Sequence, residues 1–126
     1  METGIKNRIE ITVTKERTAK AMGSGTLQVF ATPAMIALIE ETCWRSVADQ
    51  LDAGQGTVGT QLNVAHVSAT PVGLKVYCES QLVSVEGRKL TFEVNVYDEK
   101  GLVGKGTHER FIIDDEKFMQ KALSKK

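Results

Sequence analysis

The strongest constraint on the fold is one long helix, which the sequence predicts from about Thr32 to Asp52. Its first half is apolar on nearly every side, and such a helix belongs inside a fold. We expect Thr32 to be the N-cap and Pro33 the first helical residue, where the missing N–H costs nothing. Gly54 and Gly56 mark the end. No other segment predicts a long helix, so the remaining elements must enclose this one.

The rest of the chain has the two-residue apolar period of β-strands. Alternation predicts strands over residues 8–14, 58–66, 74–85, 90–97 and 102–113, with a short amphipathic helix over 117–125. Five or six antiparallel strands around one apolar helix make an α+β fold, with the sheet wrapped around the helix. At 126 residues, 41% of them hydrophobic and 25% charged, the chain suits one domain spanning residues 1–126.

Charge and composition exclude several classes of protein. Sixteen basic residues balance sixteen acidic ones without a basic stripe, so we expect no nucleic acid partner. The polar N-terminus does not predict a signal peptide, and no apolar stretch approaches the ~18 residues of a membrane span. With two histidines and no metal-ligand spacing, we expect no metal and no cofactor. Cys43 and Cys78 look like core residues of a reducing compartment, so we expect a cytoplasmic protein.

A curved antiparallel sheet of this kind leaves two strand edges without partners. Pairing such edges across a two-fold axis satisfies their backbone groups and is a common arrangement. We therefore expect a homodimer, and the sequence leaves open whether two dimers join into a tetramer.

Glu40 is the first candidate for chemistry, because it is a carboxylate in the middle of the apolar helix. A charge on an apolar stripe is costly unless it is paired, hydrogen-bonded or neutralised. The alternative is an ordinary helical glutamate that pairs at the surface, which Glu41 fits better because Arg45 lies four residues on. The pattern alone supports the two readings of Glu40 equally. Its neighbours on the same helix face are Ile36, Ala37, Cys43 and Trp44.

His66 is the second candidate, because it shares the parity of Val58, Leu62 and Val64 and so faces inward with them. Taken alone, it is more simply a core histidine bonded to a backbone carbonyl. A histidine and Glu40 on two inward faces can stabilise each other, and such a pair is a recurrent acid–base device near neutral pH.

Thr32 has a second reading besides the N-cap, since a hydroxyl at a helix N-terminus suits an oxygen that develops negative charge. Thr32 and Glu40 are eight residues apart, about 12 Å of helical rise. A shared site therefore needs Thr32 to fold back before the helix, or needs a second subunit. His108 and Arg110 lie in a dense run of charges near the end of a strand, which predicts a solvated edge. The alternative is a guanidinium that reaches the site, which spacing alone does not decide.

Six motifs occur in order between Val29 and Phe111: VFATP at 29–33, LIEETC at 38–43, VGT at 58–60, VAHVSATPVGL at 64–74, VEGRKL at 85–90 and GTHER at 106–110. Their order and spacing resemble the fluoroacetyl-CoA thioesterase branch of the hot-dog-fold thioesterases. The resemblance implies an antiparallel sheet wrapped around one central helix and closed by dimerisation.

The resemblance also implies a catalytic set of Thr32, Glu40 and His66, with Gly59 beside the thioester and Arg110 near the acyl-binding end. Glu40 would attack the thioester carbonyl or activate a water, His66 would move the proton, and Thr32 would orient Glu40 or the carbonyl. The substrate would be an acyl-CoA, so CoA would enter as part of the substrate and not as a cofactor.

One stretch departs from the family pattern. The fluoroacetyl-specific enzyme has phenylalanines forming a lid upstream of its catalytic threonine, whereas residues 22–26 here read Met-Gly-Ser-Gly-Thr. We therefore expect hydrolysis of a small or medium acyl-CoA. The alternatives are a module that binds thioesters without turnover, and a ligand-free dimer in which Glu40 and His66 merely satisfy each other.

Overall fold

The computed structural model describes all 126 residues of the chain. Its strands are β1 (Lys6–Thr12), β2 (Gln55–His66), β3 (Lys75–Glu86), β4 (Lys89–Asp98) and β5 (Gly101–Asp114). Its α-helices are α1 (Ala19–Met22), α2 (Thr32–Val47) and α3 (Asp115–Leu123). The strands form one antiparallel sheet in the order β1-β3-β4-β5-β2. The α+β prediction is confirmed. None of the helices combines the length and apolarity that crossing a membrane requires.

Helix α2 begins differently from the prediction. Its N-cap is Ala31, whose side chain cannot cap, and Thr32 already lies in the first turn. The prediction of Thr32 as N-cap is therefore wrong. Pro33 follows in the same turn, where its missing N–H leaves no bond unmade. The Thr32 hydroxyl is consequently free to bond outside the helix.

Only one side of α2 is buried against the sheet, chiefly against β1 and β3. The opposite side is open in a single chain, with Ala37 exposed and 40% of Trp44 accessible. The prediction of a helix enclosed on nearly every side is thus too strong for one chain. The helical residues that enter the core are Ala34, Met35, Leu38, Ile39, Cys43 and Val47.

Strand β2 contains an irregularity that changes which residues face the helix. Gly59 pairs with Arg110 and Gln61 with Glu109, so Thr60 has no partner in the ladder. Such a bulge shifts the alternation of side chains by one residue. Leu62, Val64 and His66 face inward as predicted. Before the bulge the inward positions are odd-numbered, and the prediction for Val58 is wrong because it pairs with the exposed Phe111.

Strand β5 lies between β4 and β2, and the edges of the sheet are β1 and β2. His108 and Arg110 therefore occupy an interior strand, and both are buried. The prediction of a solvated edge at these two residues is wrong, because the strand order decides which strand is central and the sequence of one strand does not reveal it.

Candidate active site

The first cluster of polar side chains is built around Glu40 and Arg110. Nη1 of Arg110 donates to Oε2 of Glu40 at 3.2 Å, and the guanidinium side chain is only 6% exposed against 39% for the glutamate. An ion pair with one buried partner resists separation, because the guanidinium would be left without a counter-charge. Helix α2 and strand β5 thus hold a carboxylate at the boundary between the core and solvent.

Gly59 of β2 completes this cluster by having no side chain. A Cβ atom there would lie 2.7 Å from Oε2 of Glu40 and 3.2 Å from Nη1 of Arg110. The first distance is shorter than real Cβ contacts, so any larger residue would displace the carboxylate. The backbone of β2 therefore approaches the ion pair directly.

Two further donors of Arg110 are held by the neighbouring strand β2. Its Nε donates to Oγ1 of Thr57 at 2.8 Å, and Nη2 donates to the Thr57 carbonyl at 2.9 Å. Burial lowers the pKa of Arg110 despite the opposing charge of Glu40. The guanidinium is fixed in orientation on two sides.

His108 lies on the far side of Arg110 from Thr57. Its Nε2 is 3.1 Å from Nη1 of Arg110, and its Nδ1 is 2.8 Å from the Gln61 carbonyl oxygen. Burial is the largest cause that lowers the pKa of His108, and the charge of Arg110 lowers it further. The sequence pattern predicted a solvated edge at His108 and no functional role for it. The signal available was its parity, since residues 108 and 110 must share one face of a strand.

The second cluster joins the start of α2 to the end of β2. Thr32 Oγ1 and His66 Nδ1 share a hydrogen bond of 2.8 Å. The His66 ring meets Phe30 edge-on, with ring centroids 6.2 Å apart. Burial lowers the pKa of His66. Its Nε2 is buried and has no hydrogen-bond partner within the chain.

An open cleft of about 270 Å³ borders this second cluster. Besides Thr32 and His66 its lining includes Ala19, Ser24 and Phe30. Ser24 belongs to the stretch where the family resemblance would place an aromatic lid. A small polar side chain stands there, so the wall of the cleft is low on that side.

The two clusters do not meet within one chain. Glu40 bonds Arg110, and His66 bonds Thr32, so the expected direct contact between Glu40 and His66 is not present. Four of the five candidate residues thus fall into two pairs, one at the start of α2 and one at its middle, with Gly59 beside the Glu40 pair. The separation follows from the helix, which carries Thr32 and Glu40 about 12 Å apart along its axis.

The two cysteines and the Glu41–Arg45 ion pair lie outside both clusters. Cys43 and Cys78 are fully buried free thiols, as predicted for core residues. Burial raises both pKa values, that of Cys78 to about 11, so neither is a thiolate at neutral pH. Glu41 pairs with Arg45 at 2.8 Å, as predicted. No three His, Cys, Asp or Glu side chains are grouped closely enough to hold a metal ion.

The family model, a curated relative and solved structures that match this chain all come from the same group of proteins. The family model for the fluoroacetyl-CoA-specific thioesterase FlK matches residues 13–116. The curated fluoroacetyl-CoA thioesterase of Streptantibioticus cattleyicolor is 45% identical over 98 residues, which are 78% of this chain and 70% of that protein. A solved structure of FlK superposes with a TM-score of 0.95 at 36% identity, covering 100% of this chain and 98% of that one.

A mutant of FlK solved in complex with fluoroacetate and CoA superposes with a TM-score of 0.89 at 37% identity, covering 94% of this chain and 99% of that one. The fold and these relatives define a hot-dog-fold thioesterase, which is a thioester hydrolase. Within that class, the chain belongs to the fluoroacetyl-CoA-specific thioesterase family.

Proposed function

We propose that this protein hydrolyses a small or medium acyl-CoA to the free acid and CoA. The observation that carries the proposal is the Glu40–Arg110 pair, which holds a carboxylate against the bare backbone of Gly59. Relatives named as fluoroacetyl-CoA thioesterases, one of them solved with fluoroacetate and CoA, support a CoA thioester as substrate. Ser24 in place of an aromatic lid favours an acyl range wider than fluoroacetyl.

We infer that the complete site is shared between two chains. His66 lies seven residues after Gly59 on the same strand, roughly 20 Å away. Strand β2 is an edge of the sheet, so its outer backbone groups have no partner within the chain. Antiparallel pairing of two β2 strands about an axis between Leu62 and Asn63 sets Gly59 opposite the partner subunit's His66. The same dimer covers the open side of α2.

In this arrangement Glu40 faces the thioester from one chain, and the partner's Thr32 and the partner's His66 face it from the other. Glu40 either attacks the carbonyl carbon or removes a proton from an attacking water, and both routes break the C–S bond and release the CoA thiolate. Direct attack leaves the acyl group on Glu40 as an anhydride, which water then hydrolyses to the free acid, whereas the water route gives the free acid at once. Because the pKa of His66 is lowered, its ring is neutral near pH 7 and can accept a proton and then return it to the sulfur. Its Nε2 has no bond within the chain, whereas Thr32 holds Nδ1 and orients the ring.

Release of free thiol from acetyl-, fluoroacetyl-, butyryl-, hexanoyl- and phenylacetyl-CoA tests the proposal. Glu40→Gln should lower kcat by roughly a hundredfold or more, because an amide cannot act as base or nucleophile. The amide oxygen still accepts from Arg110, so the variant should fold. Glu41→Gln is the matched control, since it removes a neighbouring carboxylate that pairs only with Arg45 at the surface.

Unchanged turnover in Glu40→Gln would remove Glu40 from the mechanism. A wild-type protein that hydrolyses none of the five thioesters, yet melts at a higher temperature with acyl-CoA present, would be a binding module.

A further inference from the structure

His108 is a buried histidine with no part in the proposed proton transfers. Its ring is fully enclosed and stacks on Phe92, with ring centroids 6.4 Å apart and planes at 29°. Its Cε1 lies 3.1 Å from where a Cβ of Gly59 would stand. Both ring nitrogens have hydrogen-bond partners, so the partners determine where the proton resides.

The two partners select one protonation state. The Gln61 carbonyl oxygen, 2.8 Å from Nδ1, can only accept, so Nδ1 carries the hydrogen. The Arg110 guanidinium, 3.1 Å from Nε2, can only donate, so Nε2 presents its lone pair. Both bonds form together only when His108 is the neutral Nδ1–H tautomer.

This lone pair completes the hold on Arg110. Thr57 takes the Nε and Nη2 donors along one edge of the planar guanidinium. The two hydrogens of Nη1 go to Nε2 of His108 and to Oε2 of Glu40. Without the first of these acceptors, the whole planar guanidinium can tilt about the edge held by Thr57, and the Glu40 carboxylate moves with its counter-charge.

We propose that His108 is a positioning residue, whose unprotonated Nε2 fixes Arg110 and so sets the place of the Glu40 carboxylate against Gly59. Where the proposal concerns turnover it rests on the proposed thioesterase activity. Protonated His108 has no acceptor at Nε2 and points an N–H at Arg110, so the arrangement is lost in acid.

The charged and polar groups around the ring favour the neutral form on balance. Burial lowers the pKa of His108 most, and the Arg110 charge lowers it further. Opposing them, the Gln61 carbonyl from β2, Glu40 from α2 and Glu109 on β5 raise it. Strand β4 contributes an aromatic ring without charge. The result lies below the ordinary histidine pKa of about 6.5, so the acceptor is present at neutral pH.

Nitrogen NMR of the histidine rings tests the tautomer directly. The chain has two histidines, and His66→Gln leaves His108 as the single ring signal. We expect a protonated Nδ1 and an unprotonated Nε2 at pH 7. The opposite tautomer, or an imidazolium at that pH, would overturn the proposal.

Kinetics test the positioning role with two variants. His108→Phe keeps the stack on Phe92 but removes the acceptor, and should lower kcat roughly tenfold to a hundredfold with little change in KM. His108→Gln offers an amide oxygen that accepts from Arg110 and cannot be protonated. His108→Gln should therefore retain most of the wild-type kcat. In its pH profile, the fall in kcat on the acid side that arises from protonation of His108 should be absent. An acid limb in His108→Gln identical to that of the wild type would overturn the proposal.

Unfolding measured against pH supplies a readout that needs no turnover. A histidine whose pKa is lower in the folded state binds more protons when unfolded, so stability falls as pH drops below about 6.5 and levels off below the folded pKa. His66 contributes in the same direction. The fall should be smaller in His108→Gln, and an equal fall would contradict burial of a neutral His108. If no acyl-CoA is hydrolysed, the proposed function fails while the NMR and stability results still decide the state of His108.

Discussion

At the scale of single residues, the position of the Glu40 carboxylate depends on the absence of a Cβ atom at Gly59. A Cβ at Gly59 would overlap Oε2 of Glu40, which is the terminal atom of a half-exposed side chain. The carboxylate, and not the strand backbone, would therefore yield. We therefore expect that adding one methyl group at Gly59 displaces the carboxylate and leaves the fold intact.

Gly59→Ala should lower kcat roughly tenfold or more, because a small displacement of a reacting group is costly to rate. The melting temperature should change little. Gly56→Ala is the matched control on the same strand: its Cβ would meet Oδ1 of Asp115 at 2.5 Å, so it also displaces a carboxylate, but one remote from Glu40. Equal activity in Gly59→Ala and wild type would show that the close approach of the backbone has no part in catalysis.

The sequence could identify Glu40 and His66 as candidates because each is a polar residue within an apolar pattern. It could not supply their partners. Arg110 lies seventy residues after Glu40, and their contact depends on β5 being an interior strand. The charge run around His108 looked solvated for the same reason, since a local pattern does not report strand order.

At the scale of elements, the start of α2 shows that Thr32 does not cap the helix and that its hydroxyl bonds a histidine instead. Ala31 occupies the N-cap position, and the Thr32 hydroxyl bonds His66 at the end of β2. The helix and strand positions were predictable from apolar period, to within a few residues at most ends. The cap was not, because threonine before proline fits the N-cap and the first turn equally well in sequence.

Thr32→Val should lower kcat at least tenfold, since it removes the hydroxyl that orients His66 while keeping the branched shape. Thr32→Ser keeps the hydroxyl and should retain most activity. Were Thr32 the cap, Thr32→Val would also destabilise the protein by about 1 kcal/mol or more. Thermal unfolding of both variants distinguishes the two roles: we expect equal melting temperatures, and an active Thr32→Val would exclude the orienting role.

At the scale of the whole molecule, one polar cluster lies at the start of α2 and the other at its middle. In the proposed mechanism each cluster is incomplete by itself. The Glu40 cluster contains the carboxylate but lacks the histidine that would transfer the proton. The Thr32–His66 cluster contains that histidine but lacks a carboxylate. In the proposed dimer, a two-fold axis between two paired β2 strands would place the Glu40 cluster of each chain beside the Thr32–His66 cluster of the other. Two equivalent sites per dimer follow from the symmetry.

Mixing two inactive variants tests this division. Glu40→Gln and His66→Ala chains, unfolded together and refolded, should form mixed dimers in which one site keeps both residues and the other loses both. Random pairing then restores about a quarter of wild-type activity. Each variant refolded alone is the control. An inactive mixture, with mixed dimers confirmed by mass, would place Glu40 and His66 of the same chain in one site; a monomer mass would remove the shared site altogether.

The bulge at Thr60 has a practical consequence for anyone choosing positions to vary. Along β2 the residues that face α2 are odd-numbered up to Gly59 and even-numbered from Leu62 onward. A mutant library that varies only odd-numbered or only even-numbered positions would therefore change inward-facing residues in one half of the strand and outward-facing residues in the other half. Codon choices meant to widen the acyl range must change parity at residue 60.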